Sequence, residues 1–121
     1  MTNNNIYFVA NWKMHGNTAD INKSKSVIKL ANLKKYKILK IIYCPPFTLL
    51  KTFFDKFKNS NVFIGAQNCH SVSGYGAYTG SINAKLIKYT GAKYIILGHS
   101  ENRKFGETDK IINKKIHSAL K

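Results

Sequence analysis

The chain has 121 residues, 44% of them hydrophobic, and its 20 lysine and arginine residues outnumber 5 acidic residues, which gives a formal net charge of +15. This length predicts one domain or part of one, and the apolar fraction argues against wholesale disorder. No apolar run reaches the ~18 residues that a membrane span needs, the first residues show no secretory signal, and two cysteines make no disulfide framework. We therefore expect a reduced, cytoplasmic protein with no membrane partner.

Short apolar runs alternate with amphipathic segments along the chain. The predicted strands cover 6–10, 38–43, 62–66 and 94–97, and the predicted helices cover 18–33, 47–58, 82–89 and 108–121. In the last helix, Ile112, Ile116 and Ala119 form the predicted apolar stripe. Four successive β-then-α units predict a parallel sheet with right-handed crossovers. The pattern alone leaves open whether this α/β sheet closes into a barrel or stays an open doubly wound sheet.

Polar side chains stand at the ends of the first and fourth predicted strands. Asn11 and Lys13 are two positions apart, so they point the same way while Trp12 points to the opposite face. His99 follows the fourth strand and precedes a short helical turn, where the helix dipole disfavours a charged imidazole. Because parallel strands end at one face, these groups are expected to form a pocket for an anionic, oxygen-rich small molecule.

Several motifs resemble those of a known family and occur in the same order as in that family. Residues 11–16, 65–68, 76–80, 97–101 and 106–109 read N-W-K-M-H-G, G-A-Q-N, G-A-Y-T-G, L-G-H-S-E and G-E-T-D, and Pro45-Pro46 follows the second strand. From residue 8 to residue 109 the chain resembles the triosephosphate isomerase family. The resemblance implies a TIM (β/α)8 barrel of which this chain holds only the first four β/α units, so that residues 1–121 form the N-terminal half of a single barrel domain.

The resemblance also implies an activity and a set of site residues. The family interconverts dihydroxyacetone phosphate and glyceraldehyde 3-phosphate through an enediolate, in glycolysis and gluconeogenesis, with neither metal nor organic cofactor. By resemblance His99 and Lys13 are catalytic, Asn11 and Lys13 bind the substrate, and Ser100 and Glu101 support the site, with Glu101 beside Lys13. The family is itself the standard example of a histidine kept neutral as an electrophile, so the role of His99 is carried over from it.

A homodimer is implied as well, because the family's long third loop inserts into the neighbouring subunit. Tyr78 and Thr79 lie in this loop, and Thr79 matches the threonine that reaches the partner's active site. Ser81 and Asn102 replace a Glu and an Arg of the family, which suggests that an ion pair near the interface has become a neutral contact. The family's glutamate base follows its sixth strand, and no acidic residue here matches it, so we expect the 121-residue chain alone to lack isomerase activity.

Two other classes of function stay open at this point. A basic α/β domain of this charge fits nucleic-acid binding. However, Arg103 is the only arginine and the lysines are scattered along the chain, which favours a solvated surface and no nucleic-acid partner. The second class is a non-catalytic half-barrel that self-assembles through its open sheet edges. Cys69 and His70 lack a second ligand pair at zinc spacing, so no metal site is expected.

Overall fold

The strands form one parallel array in sequence order. The computed structural model describes residues 4–121. Its strands are β1 (Ile6–Asn11), β2 (Leu39–Cys44), β3 (Val62–Ala66) and β4 (Tyr94–Ile95), paired in the order β1-β2-β3-β4. Every pairing is parallel. A doubly wound sheet reverses its strand order at a switch point, and this one does not. The order is that of an arc of a β/α barrel.

Helical segments follow each strand. The α-helices are α1 (Lys25–Ala31), α2 (Leu50–Phe57), α3 (Ala84–Tyr89), α4 (Ser100–Lys104) and α5 (Asp109–Ala119), and short 3₁₀ segments cover Thr18–Ser24, Lys34–Tyr36 and Phe47–Leu49. Among the described residues, no helix has the length and apolar character that crossing a bilayer requires. The predicted alternation of strand and helix is therefore confirmed, with shorter helices than expected.

The prediction of one continuous helix over 18–33 was wrong. Its first turns are a 3₁₀ helix held by a capping box, in which the Asn17 side chain accepts from the Ala19 and Asp20 N–H groups while the Asp20 carboxylate accepts from the Asn17 N–H. The α-helix begins only at Lys25. Asn and Ser residues are frequent between 22 and 26, and their short polar side chains compete for backbone hydrogen bonds, which weakens a regular helix.

The fourth strand is shorter than predicted, ending at Ile95 instead of residue 97. The ladder to β3 closes with a hydrogen bond from the Ile96 N–H to the Ala66 carbonyl, 2.8 Å long. Gly98 then turns the chain with φ +68°, a left-handed conformation that a side chain would strain. No strand flanks the far edge of β4 within the described part of the chain, so nothing extends the pairing further.

The core lies between the outer face of the sheet and the helices. Phe53 of α2 is fully buried, and its ring meets those of Trp12, Tyr43 and Phe57 at centroid distances of 4.9, 6.3 and 5.8 Å. The contacts with Trp12 and Tyr43 are edge-to-face, and such contacts add to the gain from burial. Trp12 therefore points into the core while its neighbours 11 and 13 do not, as the alternation predicts. The buried core residues also include Ile41, Leu50, Val62, Ile64, Ala66 and Ile87.

The first strand is open on both faces. All four residues from Ile6 to Val9 of β1 are about half exposed, and successive residues of a strand point to opposite faces, whereas Ile42 and Cys44 of β2 are buried. Each outer edge, on β1 and on β4, has no strand partner among residues 4–121. An apolar groove of about 670 Å³ also runs beside α3 and α5, lined in part by Phe54, Ile87 and Leu97. In a closed barrel, both edges of the sheet are paired with further strands.

We expect Phe53→Ala to lower the free energy of unfolding by about 3–5 kcal/mol, because it removes a buried ring and leaves a cavity among three aromatic neighbours. Urea unfolding followed by far-UV circular dichroism measures the change. Phe105→Ala is the matched control, since Phe105 is 92% exposed and its loss is expected to matter by no more than about 0.5 kcal/mol. Equal effects of the two substitutions would contradict this account of the core.

Candidate active site

Lys13 occupies an unusual backbone conformation at the end of the first strand. Asn11 is the last residue of β1, and two positions later Lys13 has φ +54°, which makes it the one non-glycine residue with positive φ in the described chain. The Asn11 Oδ1 accepts the Lys13 N–H at 2.9 Å. Such a conformation costs on the order of 1–3 kcal/mol and persists only where the surroundings hold it. Residues of this kind cluster at functional sites.

An ion pair joins the end of β1 to the start of α4. The Lys13 Nζ donates to Glu101 Oε1 at 2.8 Å, across 88 positions of sequence, and both side chains are about half exposed. The hydrogen bond from Lys13 is the main cause that holds the pKa of the Glu101 carboxyl below its usual range, although burial opposes it. The pair therefore fixes the ammonium above the sheet more than it stabilises the fold, because exposed pairs contribute little.

His99 is oriented by the helix that it caps. It stands at the N-terminus of α4, directly after the turn at Gly98, and its Nδ1 accepts the Glu101 N–H at 3.2 Å. The Glu101 Oε2 lies 3.6 Å from the same nitrogen. Because Nδ1 is engaged as an acceptor, Nε2 is the ring nitrogen that is left to donate. His99 can then donate from Nε2.

The Lys13 ammonium and the His99 ring thus both lie beside the Glu101 carboxylate. Lys13 contacts one oxygen of Glu101, and His99 lies beside the other. The ammonium and the imidazole are therefore on the same side of the sheet, at the carboxyl ends of the strands, and within reach of one small ligand. Ser100 is exposed at the first position of α4. The 670 Å³ groove includes none of these residues, so its size does not identify the site.

Gln67 belongs to this site although the sequence analysis did not select it. It follows β3 directly, and its Nε2 donates to the carbonyls of Lys13 and Cys44, each at 2.8 Å. One side chain therefore connects the carboxyl ends of β1, β2 and β3. Its position at a strand end was the available signal, but its partners are backbone carbonyls 54 and 23 positions away, which no residue pattern displays.

A buried ion pair lies behind the site. Lys115 of α5 pairs with Glu107, and its Nζ also donates to Asn68 Oδ1 at 2.8 Å; the two charged side chains are only 10% and 7% exposed. The hydrogen bond to Asn68 anchors α5 to the loop after β3. It also corrects the predicted stripe on α5: Ile112, Lys115 and Ser118 are the buried residues, whereas Ile116 is 41% exposed and lines the open groove with Ala119.

The long third loop is held by its own residues. The Asn83 Nδ2 donates to the Gly74 carbonyl at 2.7 Å, and the Tyr78 ring packs on His70 at a centroid distance of 4.6 Å. Thr79 is exposed beside Tyr78. The roles expected of Tyr78 and Thr79, and the exchange suggested at positions 81 and 102, concern a second subunit and stay predictions.

The sequential parallel strands, with polar groups converging at their carboxyl ends, define the first half of a β/α-barrel domain whose site is at the usual face. The model of the triosephosphate isomerase family matches residues 6–121. The chain therefore belongs to the triosephosphate isomerase family, and both the resemblance and the expected fold, the first four units of a TIM (β/α)8 barrel, are confirmed.

Individual relatives show how much of the family's length is present. The triosephosphate isomerase of Herpetosiphon aurantiacus is 42% identical over 113 residues, covering 91% of this chain and 44% of that protein. That of Alkaliphilus oremlandii is 40% identical over 116 residues, covering 92% and 44%. The crystal structure of triosephosphate isomerase from Bartonella henselae matches with a TM-score of 0.85 at 34% identity, over 94% of this chain and 46% of that one. The chain spans less than half the length of these relatives.

We expect Lys13→Met to raise the pKa of the Glu101 carboxyl towards its usual range, because the main hydrogen bond that lowers it is lost. A folded-state pKa below the unfolded value contributes stability above the unfolded value, and this contribution disappears as the pH falls through the folded value. The pH dependence of the Glu101 carboxyl ¹³C shift measures the change. Lys51→Met removes the partner of Asp55 and is expected to leave Glu101 unchanged; identical Glu101 titrations in both variants would refute the assignment.

Proposed function

We propose that this chain is the N-terminal half of a single barrel domain of a triosephosphate isomerase, which interconverts dihydroxyacetone phosphate and glyceraldehyde 3-phosphate through an enediolate in glycolysis and gluconeogenesis. The observation that carries the proposal is the convergence of the Lys13 ammonium and the His99 ring on one carboxylate. Membership of the family makes this chemistry the natural use of that arrangement. The proposal needs no metal or organic cofactor.

Each group has a part in the proposed reaction. When a base removes a proton from the carbon next to the carbonyl, negative charge develops on the carbonyl oxygen, and preorganised donors aimed at that oxygen lower the barrier. His99 donates from Nε2, and Lys13 supplies positive charge to that oxygen and to the substrate phosphate. The Asn11 Oδ1 is engaged by the Lys13 N–H, so its NH₂ group is the part that binds a substrate oxygen. Ser100 and Glu101 support this arrangement.

The proton acceptor must come from elsewhere, because every acidic side chain of the chain already has a basic partner. The chain has 5 acidic residues. All are in ion pairs: Asp20 with Lys23, Asp55 with Lys51, Glu101 with Lys13, Glu107 with Lys115 and Asp109 with Arg103. Glu101 is the only one of them near the candidate site, and its carboxylate is held by the ammonium. None is placed to act as the general base.

We further propose that the complete enzyme is a cytoplasmic homodimer. Support for the dimer comes from the loop that holds Tyr78 and Thr79, since the resemblance assigns it to the subunit interface. Thr79 is exposed and half of the Tyr78 side chain is accessible, so both are available for a second subunit. The substrate partner is a small phosphorylated triose, which a protein of net charge +15 attracts.

We expect the purified 121-residue chain to show no isomerase turnover that depends on His99, because it contains the electrophile without a base. A coupled assay with glyceraldehyde 3-phosphate, run on the chain and on its His99→Gln variant, measures this. Any slow conversion should be the same in both. Turnover that vanishes in the variant would show that the chain supplies its own base.

In an active barrel that joins this chain to the remaining half of the Bartonella henselae relative, we expect His99→Gln to lower kcat by on the order of 10² to 10³, the loss typical of one oxyanion donor. Steady-state kinetics in both directions provide the test. His117→Gln in α5 is the matched control, because His117 is exposed and does not belong to the site. If the two histidine variants lose activity equally, His99 has no special role.

A further inference from the structure

We propose that Gln67 is a positioning residue, which holds Lys13 in its left-handed backbone conformation and so keeps the ammonium at the mouth of the sheet. The benefit of holding Lys13 rests on the proposed function, whereas the hydrogen bonds that hold it do not. The G-A-Q-N motif at residues 65–68 does not by itself indicate this role. Lys13 is held at three separate points.

Two of these three points act on the backbone. The Asn11 side chain binds the Lys13 N–H at 2.9 Å, and the Gln67 side chain binds the Lys13 carbonyl at 2.8 Å. The third point is the Glu101 carboxylate on the ammonium. Solvent and salt weaken that exposed ion pair, and it ends on a flexible side chain, so it cannot fix φ. The backbone conformation depends on the two carboxamides.

Gln67 differs from Asn11 because it ties Lys13 to other strands. Asn11 is only two positions from Lys13, so its hydrogen bond is local and does not fix the position of this segment relative to the other strands. Gln67 also donates to the Cys44 carbonyl at 2.8 Å, and the same carbonyl accepts the Trp12 N–H at 3.0 Å. Its two donors therefore lock the residues after β1 to the end of β2. The position of Lys13 relative to the sheet is set by this bridge.

The chemistry of the side chain explains why glutamine suits this place. Its one nitrogen carries two donors, which two carbonyls can share. An ionised glutamate is an acceptor only and would face both carbonyls with its charge. Asparagine is one methylene shorter. Gln67→Glu is therefore an isosteric variant that loses both donors at neutral pH and regains a single one when the carboxyl is protonated.

The test uses the full 121-residue chain labelled with ¹⁵N and ¹³C. The intraresidue HN–Hα nuclear Overhauser effect and the three-bond coupling report φ at Lys13, and mass spectrometry follows the acylation rate of the Lys13 amine. Lys51 is the internal reference, since it is also exposed and paired with a carboxylate. In Gln67→Ala we expect the positive-φ signature to weaken and the Lys13-to-Lys51 rate ratio to rise roughly two- to tenfold, the range that one hydrogen bond accounts for.

Two variants separate positioning from a general loss of structure. Asn61→Ala removes another carboxamide bond to a carbonyl, that of Ala31, at the opposite end of β3, and should leave both Lys13 readouts unchanged. Gln67→Glu keeps the side-chain volume, so it should fold even where Gln67→Ala does not. It should show the Lys13 change at neutral pH and recover in part on acidification. An unchanged φ and rate ratio in both Gln67 variants would overturn the inference.

A separate measurement tests the proposed function. Dihydroxyacetone phosphate is added to the unsubstituted chain, and protection of Lys13 from acylation is measured. Altered Lys13 readouts in the Gln67 variants, without protection in the unsubstituted chain, would uphold the positioning role and weaken the proposed site. Protection together with Lys13 readouts that ignore Gln67 would uphold the site and refute the positioning role.

Discussion

The Lys13–Glu101 ion pair is the interaction on which the candidate site depends, and parallel topology makes it possible. Residues 88 positions apart meet because β1 and β4 end at the same face of one sheet. Gly98 then turns the chain so that His99 caps α4, which brings the imidazole to the other oxygen of the same carboxylate. An ordinary extended backbone at residue 13 would change the direction of that side chain. The left-handed φ of Lys13 is thus part of the site and not an isolated irregularity.

Stability and function draw on different interactions in this chain. The ion pair at the site is exposed, as are three of the other four pairs, and exposed pairs contribute at most about 1 kcal/mol each. Only the pair of Lys115 and Glu107 is buried, and breaking it by removing one partner would leave an uncompensated charge in the interior. The aromatic cluster around Phe53 and the apolar layer over the sheet supply most of the folding energy. The site can therefore hold strained and solvated groups without endangering the fold.

The sequence predicted those features that follow from local pattern. Alternation around Trp12 separated the core residue from its polar neighbours, and the positions of Lys13 and His99 at strand ends predicted that they share one face of the sheet. Pattern failed where a distant partner decides the outcome. On α5 the spacing of Ile116 predicted a core position, but Glu107 and Asn68 draw Lys115 inwards instead and turn Ile116 towards the open groove. The role of Gln67 could not be predicted for the same reason: its hydrogen bonds go to backbone carbonyls, which every residue type has.

Under the proposed function, this chain holds the electrophile and the ammonium but not the base, so it has only part of the site. An imidazole and an ammonium stabilise charge on an oxygen, yet that charge appears only as a proton leaves carbon. Groups that act together in one transition state are strongly non-additive, so an electrophile without a base keeps only a small part of the rate that the two give together. The same groups can still hold the ground state, since a phosphate and a carbonyl are present before any proton moves. Under the proposed function, the chain with Lys13, Asn11 and His99 in place, and with every carboxylate paired to a cation, therefore binds a triose phosphate without converting it.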